Sequence, residues 1–514
     1  MKTLVILIYI TLSTSVVCYA QASTMQWQNA FGGSNYEYVH EIIPTTNGGY
    51  ISVGYSESVN GDVTFSYGSG DCLVIKTNKN GTTKWAKTYG GTGFDYGYSI
   101  CVTSDGGYIV TGYSESSDGD VIGNHGNGDC WLLKLDSLGT LMWQKTYGGT
   151  ATDKGQSLQQ TSDGGYIIVG YSESTNGDAT ANHGSGDAWV LKVDAFGNIQ
   201  WQRNYGGSGY DFGQTIKQTA EGGYIFTGET NSHDGDVAFE NGNSELWLVK
   251  LDNGGTITWQ NSFGGSYIDV GQSVEQTADE GYIVAGYSES TDGNIIGSHG
   301  GGDAWILKCD KLGALQWQKS LGSSGNDYAF CIKQLTSGGY ILTGYSELNG
   351  GDVSGNHGNY DCWVVRLDLL GNLVWQKSLG GTGVDIGYSI VETNEGEYVL
   401  AGYSESNDGD VTGNHGGGDC WLLTLNEQSV GIENFHPENA ITVTQIQNST
   451  IFNFSGLHEK QAIEIYDVAG KLVYQNVAEN SHMIIDLKNM SSGILIYSVI
   501  EKNERIKTGK ILLY

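Results

Sequence analysis

DYGYSICVTSDGGYIVTGYSESSDGDVIGNHGNGDCWLLKLDSLGTLMWQKTYGG, residues 95–149, is one copy of a unit that fills most of the chain. Its Trp143 belongs to a ladder, Trp27, Trp85, Trp143, Trp201, Trp259, Trp317 and Trp375, whose rungs stand 58 residues apart without insertion or deletion. Trp131, Trp189, Trp247, Trp305, Trp363 and Trp421 form a second ladder of the same period, with Leu73 in its first rung. A strict period of this length marks a repeat architecture. Within the unit, YSICVT, GYIVTGYS, CWLLKLD and TLMWQKTY are short and rich in β-branched and aromatic residues, and read as four strands, A to D. A and B are joined through Ser104-Asp105-Gly106-Gly107, and C and D through Ser137-Leu138-Gly139, both compact glycine turns. The B–C connection is long, about fifteen residues from Ser114 to Asp129.

A four-stranded meander cannot bury both faces alone, and seven of them at fixed period predict an all-β fold, a seven-bladed β-propeller over residues 25–427. The repeats start out of phase. MQWQNAFGG is a D-type strand with no A, B or C before it, and the last copy stops after Trp421-Leu422-Leu423. The N-terminal strand is therefore expected to complete the last blade, which removes two open sheet edges. Polar strand-A residues such as Gln160, Gln218, Gln276 and Gln334 fit a strand that lines a wet channel.

Composition excludes several classes of function. With 57 acidic against 25 basic residues the net charge is -32, which repels nucleic acid and attracts cations. The first residues place Lys2 ahead of an apolar run that ends in small residues, so residues 1–20 read as a secretory signal for the Sec pathway, cleaved after Ala20. Val17 stands before Cys18 where a lipidation site wants a small residue. No other segment approaches the ~20 apolar residues of a membrane helix, so no transmembrane segment is expected. Cys72, Cys130, Cys362 and Cys420 share one repeat position with Ala188, Leu246 and Ala304, a buried packing slot, and are expected to be free thiols.

The spacing W-x4-D-x2-G-x3-W, as in Trp131, Asp136, Gly139 and Trp143, resembles the tryptophan-docking pattern of quinoprotein-type propellers, and the double glycine before strand B resembles kelch-type blades. The resemblance implies a fold and no particular activity. Pyrroloquinoline quinone carries several carboxylates, whereas the recurring Lys134, Lys145, Lys192 and Arg203 fall in strands C and D and the loops are acidic. That cofactor is not expected.

Past Asn426 the period stops. Residues 428–440 read as a linker and 441–514 as a second domain, whose alternating strands fit a small β-sandwich. Asp467, Gly470 and Lys471 in a hairpin, Ile485-Asp486-Leu487, Gly493 and the basic stretch Lys507 to Lys510 resemble the C-terminal sorting domain of type IX secretion cargo of Bacteroidetes-type bacteria. The resemblance implies an address label read by the type IX secretion machinery, and a product on the cell surface or outside the cell. An ordinary adhesive sandwich is the alternative.

In a propeller the D–A and B–C connections share one face, so the long loops here gather on one side. That face collects Glu37, Asp95, Asp153, Asp211, Asp269, Asp327 and Asp385 from the D–A loops, and Asp71, Asp129, Asp187, Glu245, Asp303, Asp361 and Asp419 ahead of strand C. Clustered carboxylates offer the hard oxygens that Ca²⁺ prefers, which makes Asp118, Asp120 and Asp129, with Asp408, Asp410 and Asp419, candidate calcium ligands. The competing role is turn-capping. His125, His183, His299, His357 and His415 recur without a zinc-spaced partner and read as loop-packing residues. Catalysis needs unlike groups at one place, and the fourth blade breaks symmetry with Glu229 and Glu240, candidates for a polysaccharide hydrolase. Tyr113, Tyr171, Tyr287, Tyr345, Tyr403, Tyr89, Tyr147 and Tyr205 either stack on sugars or pack between blades. The sequence thus points to a secreted or surface-displayed binding protein that recognises glycan, matrix or protein through its long-loop face. A hydrolase centred on the fourth blade and a purely structural surface protein are the alternatives.

Overall fold

The computed structural model describes residues 23–237 and 242–427 and, in the tail, 441–446, 449–454, 461–466, 471–478, 482–486, 493–501 and 504–513. The signal and linker read at 1–20 and 428–440 lie outside the described residues, as do Glu240, Asp467 and Gly470. The chain divides into two compact units, Met1–Gln428 and Ser429–Tyr514.

The first unit is seven four-stranded antiparallel sheets. Blade 2 is representative: strand A is Asp95–Val102, B Tyr108–Ser114, C Asp129–Leu135 and D Leu141–Tyr147. Blade 1 begins at Glu37, blade 3 at Asp153, blade 4 at Asp211, blade 5 at Asp269, blade 6 at Asp327 and blade 7 at Asp385. Blade 7 takes its A, B and C strands from Asp385–Glu392, Glu397–Ser404 and Asp419–Glu427, and its fourth strand from Ser23–Phe31. Trp27 pairs there with Thr424 and Phe31 with Cys420, so the ring closes as the phase of the repeats predicts.

Strands B and C of blade 2 are buried throughout, whereas strand A alternates. The second tryptophan ladder is the core: Trp131, Trp247, Trp305 and Trp363 have no exposed surface. Each indole also finds a partner for its N–H, as a buried tryptophan requires. Trp131 Nε1 donates to Gln144 Oε1 at 2.9 Å, and Trp421 Nε1 to Gln28 Oε1 at 3.0 Å on the closing strand. All seven cysteines of the described residues are free thiols, and Cys72, Cys130, Cys362 and Cys420 are buried.

The first ladder explains the motif spacing. Asp136 caps the C–D turn by accepting the N–H groups of Leu138 at 2.8 Å and Thr140 at 2.7 Å. The turn brings Gly139 to φ 73°, left-handed backbone in which glycine is favoured. A Cβ on Gly139 would stand 2.7 Å from the ring of Trp85 in the preceding blade. Each turn glycine is therefore the seat of the previous blade's tryptophan, and Gly81 seats Trp27 to join the last blade to the first. Tyr147 adds a hydrogen bond across the next seam, its OH donating to Gly197 O at 2.7 Å.

The glutamines at the end of strand A do something other than line the channel. Gln160 Oε1 accepts Ser104 N–H at 2.9 Å, and Gln218, Gln276 and Gln334 accept the matching N–H groups of Ser162, Ala220 and Ala278, each at 2.8 Å. They tie each blade to the A–B turn of its predecessor.

Among the described residues the second unit holds two antiparallel sheets, one of Ile441–Ile446, Ser449–Phe454 and His482–Asp486, the other of Leu472–Ala478, Gln461–Tyr466, Gly493–Glu501 and Glu504–Leu513. Ile463, Ile465, Ile485 and Tyr497 are buried. Of the sorting-motif residues, Gly493, Lys507 and Lys510 lie in strands and Lys471 is exposed.

Gly139 and Gly106 allow a controlled test, because both have positive φ, 73° and 83°, but a Cβ on Gly106 meets nothing within 4 Å. Gly106→Ala should cost only backbone strain, about 1 kcal/mol, and Gly139→Ala should cost about 2–3 kcal/mol because the tryptophan seat is also lost. Denaturant unfolding of the two variants measures the difference.

Candidate functional site

The long-loop face holds the acidic rings, and the structure shows what the carboxylates do there. Members of the first ring are fully buried caps. Asp95 accepts Ser114 Oγ–H, Ser116 Oγ–H at 2.7 Å and Gly91 N–H at 2.8 Å, and Asp153 repeats the pattern with Ser172, Ser174 and Gly149. Four members of the second ring hold histidines. Asp129 Oδ2 lies 2.6 Å from His125 Nδ1 and accepts the His125 backbone N–H at 3.0 Å, and Asp187, Asp361 and Asp419 hold His183, His357 and His415 in the same way. The loop-packing reading of these histidines matches this geometry.

The six candidate calcium ligands divide between seams. Asp118 Oδ1 accepts Thr92 N–H at 2.8 Å and Asp120 Oδ2 accepts Gly90 N–H at 3.3 Å, so both belong to the seam between blades 1 and 2. Asp129 faces blade 3: its Oδ1 and Asp153 Oδ2 lie 2.8 and 2.6 Å from where a Cβ on Gly148 would stand. Asp408 and Asp410 likewise bond Thr382 and Gly380, while Asp419 meets Glu37 at Gly32. Among the described residues no group of three or more His, Cys, Asp or Glu is arranged to hold a metal ion. Oδ1 of Asp71, Asp129, Asp187, Asp303, Asp361 and Asp419 is buried without a hydrogen-bond partner. A buried carboxylate oxygen left so, beside a second carboxylate, favours retention of a proton.

Three of the tyrosines that end strand B are built into the blades. Tyr113, Tyr171 and Tyr403 are buried and donate to Glu115, Glu173 and Glu405 at 3.0, 2.8 and 2.7 Å. Blade 4 replaces this pair: Glu229 Oε2 accepts Ser244 Oγ–H at 3.0 Å, and burial raises the Glu229 carboxyl above its ordinary pKa.

A further departure from symmetry lies at the fourth residue of strand A, which faces the central channel. Going round the ring it is His40, Tyr98, Gln156, Gln214, Gln272, Phe330 and Tyr388, and all seven line one cavity of about 120 Å³. The aromatic members are neighbours, on blades 6, 7, 1 and 2. Phe330 and Tyr388 have centroids 4.9 Å apart, Tyr388 and His40 5.4 Å, and His40 and Tyr98 5.0 Å, which makes a continuous arc of rings. Blades 3, 4 and 5 supply the opposing arc of three amides. Gln272 Nε2 donates to Tyr328 OH at 2.7 Å, whereas the side chains of Gln156 and Gln214 make no hydrogen bond among the described residues. Nε2 of His40 is also buried without a partner, and burial pushes that imidazole down to about 4, so it is neutral near pH 7. Half-exposed Tyr36 and Phe94 stand at the channel mouth on the long-loop side, each one residue ahead of its strand A.

Residues 442–513 match the family described as the secretion system C-terminal sorting domain. The tail thus consigns the chain to type IX secretion, to the cell surface or the extracellular space. Among solved structures the chain is similar to the extracellular domain of a protein of B. thetaiotaomicron described as a one-component system, at 14% identity and TM-score 0.39 over 93% of this chain and 57% of that one. It is similar to PorZ, a bacterial surface component of the type IX secretion system of Porphyromonas gingivalis, at 9% identity and TM-score 0.38 over 95% and 60%. Sqt1 from Chaetomium thermophilum gives 11%, 0.37, 78% and 100%. The chain spans less than two thirds of the first two, and at these identities and scores no function carries across. No curated protein matches the chain.

The seam carboxyls set a pH dependence. Burial, reinforced by Asp95 and Asp120, pushes Asp71 up to about 6, and burial likewise raises Asp129, Asp153, Asp187 and Asp385. A carboxyl whose folded pKa is raised stabilises the fold below its unfolded pKa, and that contribution is lost as pH rises through the folded value. Turn carboxylates act oppositely. Partial burial opposes ionisation of Asp105, but Thr103, Gly107 and Lys134 outweigh it and hold the group at about 2, so its contribution is lost as pH falls towards that value. The melting temperature should rise as pH is lowered from about 7.5 to about 5 and fall again below about 4. Differential scanning calorimetry across this range checks it, and a flat upper limb would mean that the seam carboxyls are ionised in the native state.

Proposed function

We propose that this exported propeller is a recognition protein that takes one sugar unit of a glycan into its central channel, between the aromatic arc and the amide arc. The observation that carries the reading is the division of the channel ring. Apart from Leu73, the core position of strand C is tryptophan in every blade, yet the channel-facing position of strand A holds four kinds of side chain, segregated into two arcs. Sugars stack their C–H faces on aromatic rings and hydrogen-bond at their edges, and the unspent amides of Gln156 and Gln214 face such rings here. The cavity is well below the ~300–1,000 Å³ of a pocket for a drug-sized ligand, so it suits a single unit. The sorting tail supports a ligand met outside the cell.

A saccharide array with the full chain tests this. Binding is expected, with no product released. Gln156→Ala combined with Gln214→Ala should weaken it about 10-fold or more while leaving the melting temperature within about 2 °C, since neither amide supports the fold. Binding that survives loss of both amides would move the ligand out of the channel. A released product that disappears in Glu229→Gln would assign a hydrolase instead. Calcium uptake abolished by Asp120→Asn and Asp129→Asn would add a cation to the loops.

Export has its own readout. Deletion of residues 442–513 should keep the protein from reaching the cell surface or the medium, as cell fractionation would show.

A further inference from the structure

We infer that the sugar taken into the channel is an acidic one, a uronic acid unit, whose carboxylate is held by Lys217. This rests on the glycan reading above and names the chemistry of the ligand. Lys217 lies in strand Asp211–Gln218, three residues beyond Gln214, and lines the same cavity. Among the described residues it donates no hydrogen bond and forms no ion pair. That is unusual for an inward-facing cation in a chain with 57 acidic and 25 basic residues.

The lysines of strand C show the contrast. Lys134, Lys192, Lys250 and Lys308 each reach an acidic side chain of their own blade's A–B turn at 2.9–3.1 Å. The other charged groups along the channel already have hydrogen-bond partners, although Glu41 keeps its negative charge. Lys333 Nζ lies 2.6 Å from Glu275 Oε1, and Glu275 Oε2 accepts Gln334 N–H at 3.1 Å. Glu41 Oε2 accepts Ser99 Oγ–H at 2.7 Å and Ile100 N–H at 2.8 Å. Lys217 therefore has capacity to spare on this wall, beside the amide arc that would take the sugar's hydroxyls. An ammonium on a flexible stem suits a carboxylate as a point charge, and the match of charge would favour an acid over its neutral congener.

Calorimetric or saturation-transfer titration of the full chain with glucuronate and galacturonate, against glucose and galactose, is the test. The uronates should bind about 10-fold tighter or better, a preference that falls with ionic strength. Lys217→Gln should erase the preference and leave neutral-sugar binding in place, and Lys217→Arg should keep part of it. Equal affinity for acid and neutral sugar in the unaltered protein, or a preference that survives Lys217→Gln, overturns the assignment while leaving glycan recognition intact. Absence of binding by every sugar overturns both.

Discussion

A tryptophan of one blade resting on the turn glycine of the next is the contact on which the rest of this molecule depends. It demands a residue with no side chain, at positive φ, at one fixed distance along the chain from the next tryptophan. Asp136 supplies the capped turn, Gly139 the seat, Trp85 the ring that fills it, and Trp143 the ring handed on to blade 3. An insertion between turn and tryptophan would unseat one seam, which accounts for the fixed spacing from Asp136 through Gly139 to Trp143. The closing strand obeys the same rule, since Trp27 reaches Gly81 after the last blade has borrowed it.

The buried carboxylates complete the seams. First-ring acids cap the D–A and B–C loops with serine hydroxyls and glycine amides, while second-ring acids hold the histidines by backbone and ring. Both use the preference of a buried carboxylate for several donors. The acidity of the long-loop face is thus largely internal architecture. What varies is the row of strand-A side chains that points into the channel, where aromatic rings touch from blade to blade on one side and amides stand on the other.

Much of the fold was legible in the residues. The 58-residue period, the four strand-like segments and the orphan D strand at Trp27 lead to seven blades closed by the N-terminal strand, and the motif at 467–510 leads to the sorting tail. The site was less legible. Asp118, Asp120 and Asp129 are close in sequence, yet the two ends of a B–C loop face opposite neighbours, so the structure sends them to different seams. Gln160 and its counterparts look like channel residues from strand alternation, but the bulge between Gly97 and Ser99, repeated in each blade, shifts the register and turns the strand's end towards the preceding turn. The channel ring escaped notice because each member is unremarkable in its own strand. Only the seven copies set side by side at the position of His40 reveal the two arcs.

The central claim is that the channel wall, and not the loop rim, meets the ligand. His40 is a direct reporter, since it lies in the aromatic arc while His125, His183, His299, His357 and His415 sit in the B–C loops. Nitrogen-edited spectra of histidine-labelled protein, recorded as a bound sugar is titrated in, should show His40 shifting and the five loop histidines holding still. Shifts confined to the loop histidines, with His40 unmoved, would contradict the account.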